Sequence, residues 1–208
     1  MVDLLEKDGQ GLNLTMEVRE GISKHSKGRG EIFTQDLEDR ISTLEGQVVR
    51  VADIIAYINH DIDDAIRGGV ISLKDIPTDC LTRLGETHSQ RINTMVNDII
   101  SQTRRTDQGQ LSITEEVHSA ILGLRDFLWN RVYENENVRH DFYKAGKILK
   151  ELYQYFMAHP DSFLSLIEKE SLYDSQERCV CDFLAGMTDR YAFHLYERLF
   201  LPLPWRIV

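Results

Sequence analysis

Asp53, Tyr57 and Asp61 stand four residues apart in the stretch VADIIAYINHDIDDAIR, residues 51–67, and Asp64 follows three further on. Steps of four put side chains on one face of a helix, so this stretch sets carboxylates on either side of a tyrosine. Carboxylates in such a line accept hydrogen bonds from hydroxyl groups or hold a cation, and the phenol adds a donor and a flat ring. Val48, Val51, Ile55, Ile58 and Ile62 recur at steps of three and four and mark a core-facing stripe roughly opposite. A solvated face is the alternative for the polar stripe. A wet helix face, however, favours Lys and Glu in paired charges, and Arg50 and Arg67 are the only bases nearby. Unpaired carboxylates along one line repel by about 0.2–0.5 kcal/mol per pair, a cost that a bound cation or substrate offsets. The stripe predicts a polar cavity.

Adjacent His60 and Asp61 offer a second chemistry, two ligands for one metal ion, with His25 and Asp98 as the further ligands such a site would need. A half-exposed His60 on a polar helix face is the simpler expectation. His88 and Arg91 lie close together near a helix start in LGETHSQRINTMVNDII, where a planar guanidinium and free backbone N–H groups suit an anion. By spacing alone these two read as surface residues. Asp189-Arg190-Tyr191 reads as a structural ion pair, and Trp129 and Trp205 as core or interface. No glycine-rich phosphate loop, nucleophile elbow or H-E-x-x-H element is present in the sequence.

The elements that must position these groups all carry the helical period. Thr15 to His25 reads as a short helix. Ser42 or Thr43 caps a long one that runs to Arg67 and is stopped by Gly68-Gly69. A helical pattern after Pro77 breaks near Gly85, and the next carries Ile92, Met95, Val96, Ile99 and Ile100. Ser112 with Glu115 predicts a capping box before Val117, Ile121, Leu124, Leu128 and Val132. Phe142, Ala145, Leu149, Leu152 and Phe156 form a stripe ended by His159-Pro160, and a last long helix is predicted from Tyr173 to Leu199. The prediction is an all-α, multi-helix fold in a single helical domain over residues 1–208, with a mobile loop over 26–41 in the glycine-rich, charged stretch there.

Composition narrows the function. The chain of 208 residues has 24 basic and 34 acidic side chains, a net charge of −10, which disfavours nonspecific binding to nucleic acid or an anionic membrane. A phosphorylated small molecule stays possible, since a divalent cation bridges carboxylate to phosphate. No apolar run reaches membrane-spanning length. Cys80, Cys179 and Cys181 do not make a disulfide framework, and reduced thiols in a cytoplasmic protein are expected.

GLNLTMEVREGISKHS, TLEGQVVRVADIIAYINHDIDDAIRGGVI, LGETHSQRINTMVNDII and VCDFLAGMTDRYA together resemble the bacterial deoxyguanosinetriphosphate triphosphohydrolase-like proteins, dNTPases of the HD superfamily. The resemblance implies an HD-superfamily-like fold. It implies Asp53 as the last metal-ligating aspartate, Tyr57 as a nucleotide contact, and Asp61 as the contact to deoxyribose through its 3′-hydroxyl, with Tyr57 crowding the 2′ position. His88 and Arg91 match a family segment near the phosphates and are carried as substrate-binding residues. In the intact enzyme that the resemblance implies, Mg²⁺ or Mn²⁺ activates a water toward the α-phosphorus of a dNTP, above all dGTP, releasing deoxynucleoside and tripolyphosphate.

One departure from the family pattern matters. Members carry, upstream of GLNLT, a helical half with the first ligand histidine, the His-Asp pair and a histidine- and glutamate-bearing stretch. The present sequence matches from just past that half. The expectation is therefore a C-terminal part of such an enzyme, holding one of four metal ligands and no catalytic residue of its own. Such a part binds metal weakly and is inactive until the N-terminal half is supplied. Homo-oligomers are implied, as is apolar surface left open where the missing half packs. The alternative is a non-catalytic helical module that binds nucleotides or governs subunit assembly. The self-contained metal site on His60-Asp61 ranks behind both.

Overall fold

The structure is a computed structural model that describes residues 1–26, 31–33, 40–106, 109–167 and 175–202. The expected mobile loop over 26–41 falls mostly on residues 27–30 and 34–39, outside the described ones. Among the described residues every regular element is helical, as the period of three to four predicts. They group into two compact units, Met1–Asn135 and Glu136–Val208.

The first unit holds α1 (Glu6–Gly9, one turn with Lys7 and Asp8 in the left-handed region), α2 (Met16–Lys24), α3 (Leu44–Arg67), α4 (Thr78–Leu84), α5 (His88–Thr106) and α6 (Glu115–Leu128). A π-helical turn, Trp129–Tyr133, follows α6 without a break. α3 is the spine. Thr43 caps it by accepting from Gly46 N, and Val51, Ile54, Ile55, Ile58, Ile62 and Ala65 are buried along it. Each fully buried Ile contributes about 1.5–3 kcal/mol, so this face alone commits α3 to the core. The predicted apolar stripe holds except at its start: Val48 is 50% exposed, and Ile54 takes the place in the core. α3 packs there against α5 and α6, and its buried face shares one core with Cys80 and Leu84 of α4, Met95 and Ile99 of α5, and Val117, Ile121, Leu124 and Leu128 of α6.

α2 lies across the start of α3, where Gly21 and Gly46 meet. Glu20 reinforces the crossing by accepting from the backbone N–H and hydroxyl of Ser42 and from Lys24 Nζ at 2.9 Å. These bonds, the Ser42 hydroxyl's first, hold the Glu20 carboxyl down at about 2. A side chain at Gly46 would run into the buried Ile41 and the Thr43 cap. Gly46→Ala is therefore expected to destabilise the chain by about 1–3 kcal/mol, despite the better helix propensity of alanine. A urea midpoint equal to or above that of the parent chain would rule out this tight crossing.

The cap of α6 is Thr114, which accepts from Val117 N, rather than the expected Ser112. Asp98 of α5 decides the matter by accepting from both Thr114 N (2.8 Å) and Thr114 Oγ1 (2.9 Å). At the start of α5, Thr87 and Gln90 make a reciprocal capping box. Gln90 N donates to Thr87 Oγ1 at 3.2 Å and Thr87 N to Gln90 Oε1 at 3.1 Å. Gly85, at φ 112°, gives the chain the turn and the room beside Gln90 that this box needs.

The second unit holds α7 (Glu136–Ala158), α8 (Pro160–Leu164), α9 (Gln176–Ala185) and α10 (Asp189–Phe200). Leu152, Phe156, Phe163, Val180, Ala192 and Leu195 form its core, with Phe156, Phe163 and Phe183 in mutual ring contact. The stripe predicted along α7 is buried only in its second half, and Phe142 is 75% exposed. The predicted last long helix is two. Its opening residues lie outside the described ones, and the remainder breaks at Gly186, after which Thr188 caps α10 by accepting from Tyr191 N. Among the described residues no helix is long and apolar enough to cross a membrane.

Candidate functional site

The polar stripe of α3 is neither core nor bulk-solvent surface. Asp53, Tyr57 and Asp61 are all partly buried. Burial pushes the Tyr57 phenol above its ordinary pKa; the Arg125 guanidinium opposes the rise, and Asp61 and Asp53 add to it.

Tyr133 closes this side. Its hydroxyl donates to Asp61 Oδ2, and burial, then this bond, push its phenol well above the ordinary range. The backbone explains how it arrives. The π turn after α6 carries the wide i to i+5 bond, Glu134 N to Trp129 O at 3.0 Å, and inserts a residue relative to α-helical phase. Arg125 (9% exposed) and Tyr133 thus come from the end of α6 and its π turn to stand over α3. Both were missed at the level of sequence. Arg125 and Tyr133 lie eight residues apart, about 80° around an ideal α-helix, and nothing in the residue types announces the π turn that changes this phase.

The other flank of the stripe is built on Arg91. Only 1% exposed, Arg91 is not the surface residue its spacing suggested. Its Nε donates to Asn59 Oδ1 (2.8 Å), Nη1 to the Glu86 carbonyl (2.8 Å) and Nη2 to Asp63 Oδ1 (3.0 Å). Asn59, itself fully buried, also donates to the Ile55 carbonyl at 2.7 Å. The second oxygen of Asp63 faces His88 Nδ1 at 2.8 Å, an ion-pair approach off the line of a good hydrogen bond. The His88 ring in turn stacks on His60, with centroids 5.4 Å apart and planes 14° from parallel. At about 100° per residue, Asp63, His60, Asp53, Tyr57 and Asp61 fan in that order over about 160° of the α3 surface.

The expected residues therefore fall into two groups along one helix. Tyr57 and Asp61 meet Tyr133 and Arg125; His88 and Arg91 meet through Asp63. The alternative ligand set of His25, His60, Asp61 and Asp98 is not assembled, and both Asp98 oxygens are taken up at the α6 cap. Among the described residues no three His, Cys, Asp or Glu side chains are grouped so as to hold a metal ion. Asp53 alone does not fit a divalent cation, which takes six or more oxygen ligands.

Residues 111–198, α6 through most of α10, match the phosphohydrolase-associated domain family. The chain is homologous to bacterial deoxyguanosinetriphosphate triphosphohydrolase-like proteins. It is 45% identical over 212 residues to one from Desulfatibacillum aliphaticivorans, covering 98% of this chain and 60% of the relative. It is 42% identical to one from Caldanaerobacter subterraneus, covering 99% and 57%, and 37% identical to one from Clostridium tetani, covering 95% and 56%. The chain thus spans well under two thirds of the length of these relatives.

Proposed function

We propose that this chain is the nucleoside-holding, C-terminal part of a dNTP triphosphohydrolase that cleaves dNTP to deoxynucleoside and tripolyphosphate. The observation that carries this is the half-buried line Asp53, Tyr57, Asp61, with the Tyr133 hydroxyl fixed on Asp61. Asp61 accepts from the 3′-hydroxyl of deoxyribose, and the ring of Tyr57 crowds the 2′ position. Asp53 supplies one carboxylate toward the phosphate end. The remaining ligands for Mg²⁺ or Mn²⁺ belong to the part of the relatives' length that this chain does not span.

That part docks beside Asp53. Val49 lies one turn before Asp53 on the same face of α3, and with Val18 and Ile22 of α2 it lines a cleft of about 460 Å³. Val18, Ile22, Val48 and Val49 are 44–52% exposed, an apolar patch at the place from which further ligands must reach Asp53. dGTP is the preferred substrate on this reading, and the assembled enzyme is a cytoplasmic homo-oligomer.

The test incubates the chain with dGTP and Mg²⁺ or Mn²⁺, alone and with the remaining segment of a relative, while tripolyphosphate is measured. Product is expected only on mixing, and Asp53→Ala should abolish it. Turnover by the chain alone that survives Asp53→Ala but not His60→Ala would overturn the proposal. The absence of any three-ligand group among the described residues keeps a second reading in view, a non-catalytic nucleotide-binding or assembly module. Saturable nucleotide binding with no turnover in the mixture would favour it.

A further inference from the structure

We infer that Trp129 is a positioning residue for recognition of the sugar: its indole fixes the plane of the Tyr133 ring and, through it, the direction in which Asp61 presents its carboxylate. This rests on the proposed function, in which Asp61 accepts from the 3′-hydroxyl of deoxyribose. By residue type Trp129 reads as core or interface, yet it is only partly buried, so filling the interior accounts for only part of its bulk.

Two contacts tie Trp129 to the turn that carries Tyr133. The indole and the phenol ring meet edge to face, with centroids 5.9 Å apart and planes at 83°, the arrangement that aromatic quadrupoles favour. The Trp129 carbonyl accepts from Glu134 N at 3.0 Å and so closes the π turn on which Tyr133 rides. Val132, the residue before Tyr133, is buried and pins that turn to the core. Backbone and core therefore leave open only the rotation of the Tyr133 side chain. Its hydroxyl donates to Asp61 Oδ2, but a phenol tethered by that bond alone can still swing about it. A second ring at right angles removes the swing. A carboxylate held through one oxygen then presents the other in a fixed direction. The order of control runs from Trp129 to Tyr133 to Asp61, and Trp129 acts through the other two.

Equilibrium binding of dGTP and of its 2′,3′-dideoxy counterpart to the chain tests this. Trp129→Ala should weaken dGTP about three- to fivefold and leave the dideoxynucleotide unchanged. Trp129→Phe, which keeps a ring against Tyr133, should restore most of the affinity for dGTP. Trp129→Leu, with apolar bulk but no ring, should not. In a Tyr133→Phe background, where Asp61 has already lost its donor, Trp129→Ala should cost dGTP nothing further. The dideoxynucleotide is the control for folding, since a chain loosened as a whole would lose both ligands alike. Equal losses of the two nucleotides, full dGTP affinity in Trp129→Leu, or losses that add in the double variant would each overturn the inference and leave the proposed function standing. A parent chain that binds the dideoxynucleotide as tightly as dGTP would remove the sugar contact of Asp61, and this inference with it.

Discussion

Replacing Arg91 with methionine is expected to destabilise the chain by about 3–5 kcal/mol, the range seen when one member of a buried charged network is removed. Methionine fills much of the volume, so the loss comes from the partners and not from a cavity. Asn59, fully buried, loses the donor on its Oδ1, and the Glu86 carbonyl loses its bond from Nη1. A buried acceptor left without a partner costs about 1–3 kcal/mol. The third partner counts for less, because the Asp63 side chain is 38% exposed and water screens its charge. Lysine at this position should recover only part of the loss, since one ammonium cannot reach three acceptors lying in three directions. Urea unfolding monitored on the α3 helix measures it. A loss under about 1 kcal/mol would mean that the network on Arg91 is decoration.

Arg91 also shows where reading from residues stops. Its neighbours in sequence, polar and close to a glycine, make it look like surface; only the fold brings Asn59 and Asp63, about thirty positions earlier, to its guanidinium. Local signals carried far more. Ile55, Ile58 and Ile62 fall in the core where the period of α3 puts them, and the stops at Gly68 and Gly85 follow from chain chemistry. Errors arose where two local rules competed and a distant residue chose between them. Ser112 and Thr114 both suit a helix cap, and Asp98 on the preceding helix selects Thr114. Val48 and Ile54 both suit the apolar stripe, and the residues α3 packs against select Ile54. The long helix predicted toward Leu199 overlooked that Gly186 and Thr188 supply a stop and a new cap within three residues. The candidate site divides the same way. Asp53, Tyr57 and Asp61 share one helix and are visible as a spacing, whereas Tyr133 reaches Asp61 across 72 positions by way of a π turn.

Asp61→Ala is expected to weaken dGTP binding by about 10- to 100-fold. A hydrogen bond to a charged group contributes about 1.5–3 kcal/mol, and each 1.4 kcal/mol is a factor of ten. The loss should fall on sugar recognition, so a 2′,3′-dideoxynucleotide, which lacks the 3′-hydroxyl, should bind the parent chain and Asp61→Ala about equally. Tyr133→Phe separates geometry from charge: it keeps the ring but removes the donor that aims Asp61, and a loss of about three- to tenfold is expected. Its pH behaviour has a definite sign. Burial and the bond to Asp61 raise the Tyr133 phenol in the folded chain, so folding favours the protonated form. The stabilisation is complete below the unfolded phenol's pKa of about 10 and is lost as pH climbs through the higher folded value. Stability of the parent chain should therefore fall more steeply above about pH 10 than that of Tyr133→Phe. Equal alkaline slopes in the two chains would detach Tyr133 from Asp61. A dideoxynucleotide that binds as tightly as dGTP would detach Asp61 from the sugar, and with it the assignment of the α3 stripe to deoxynucleotides.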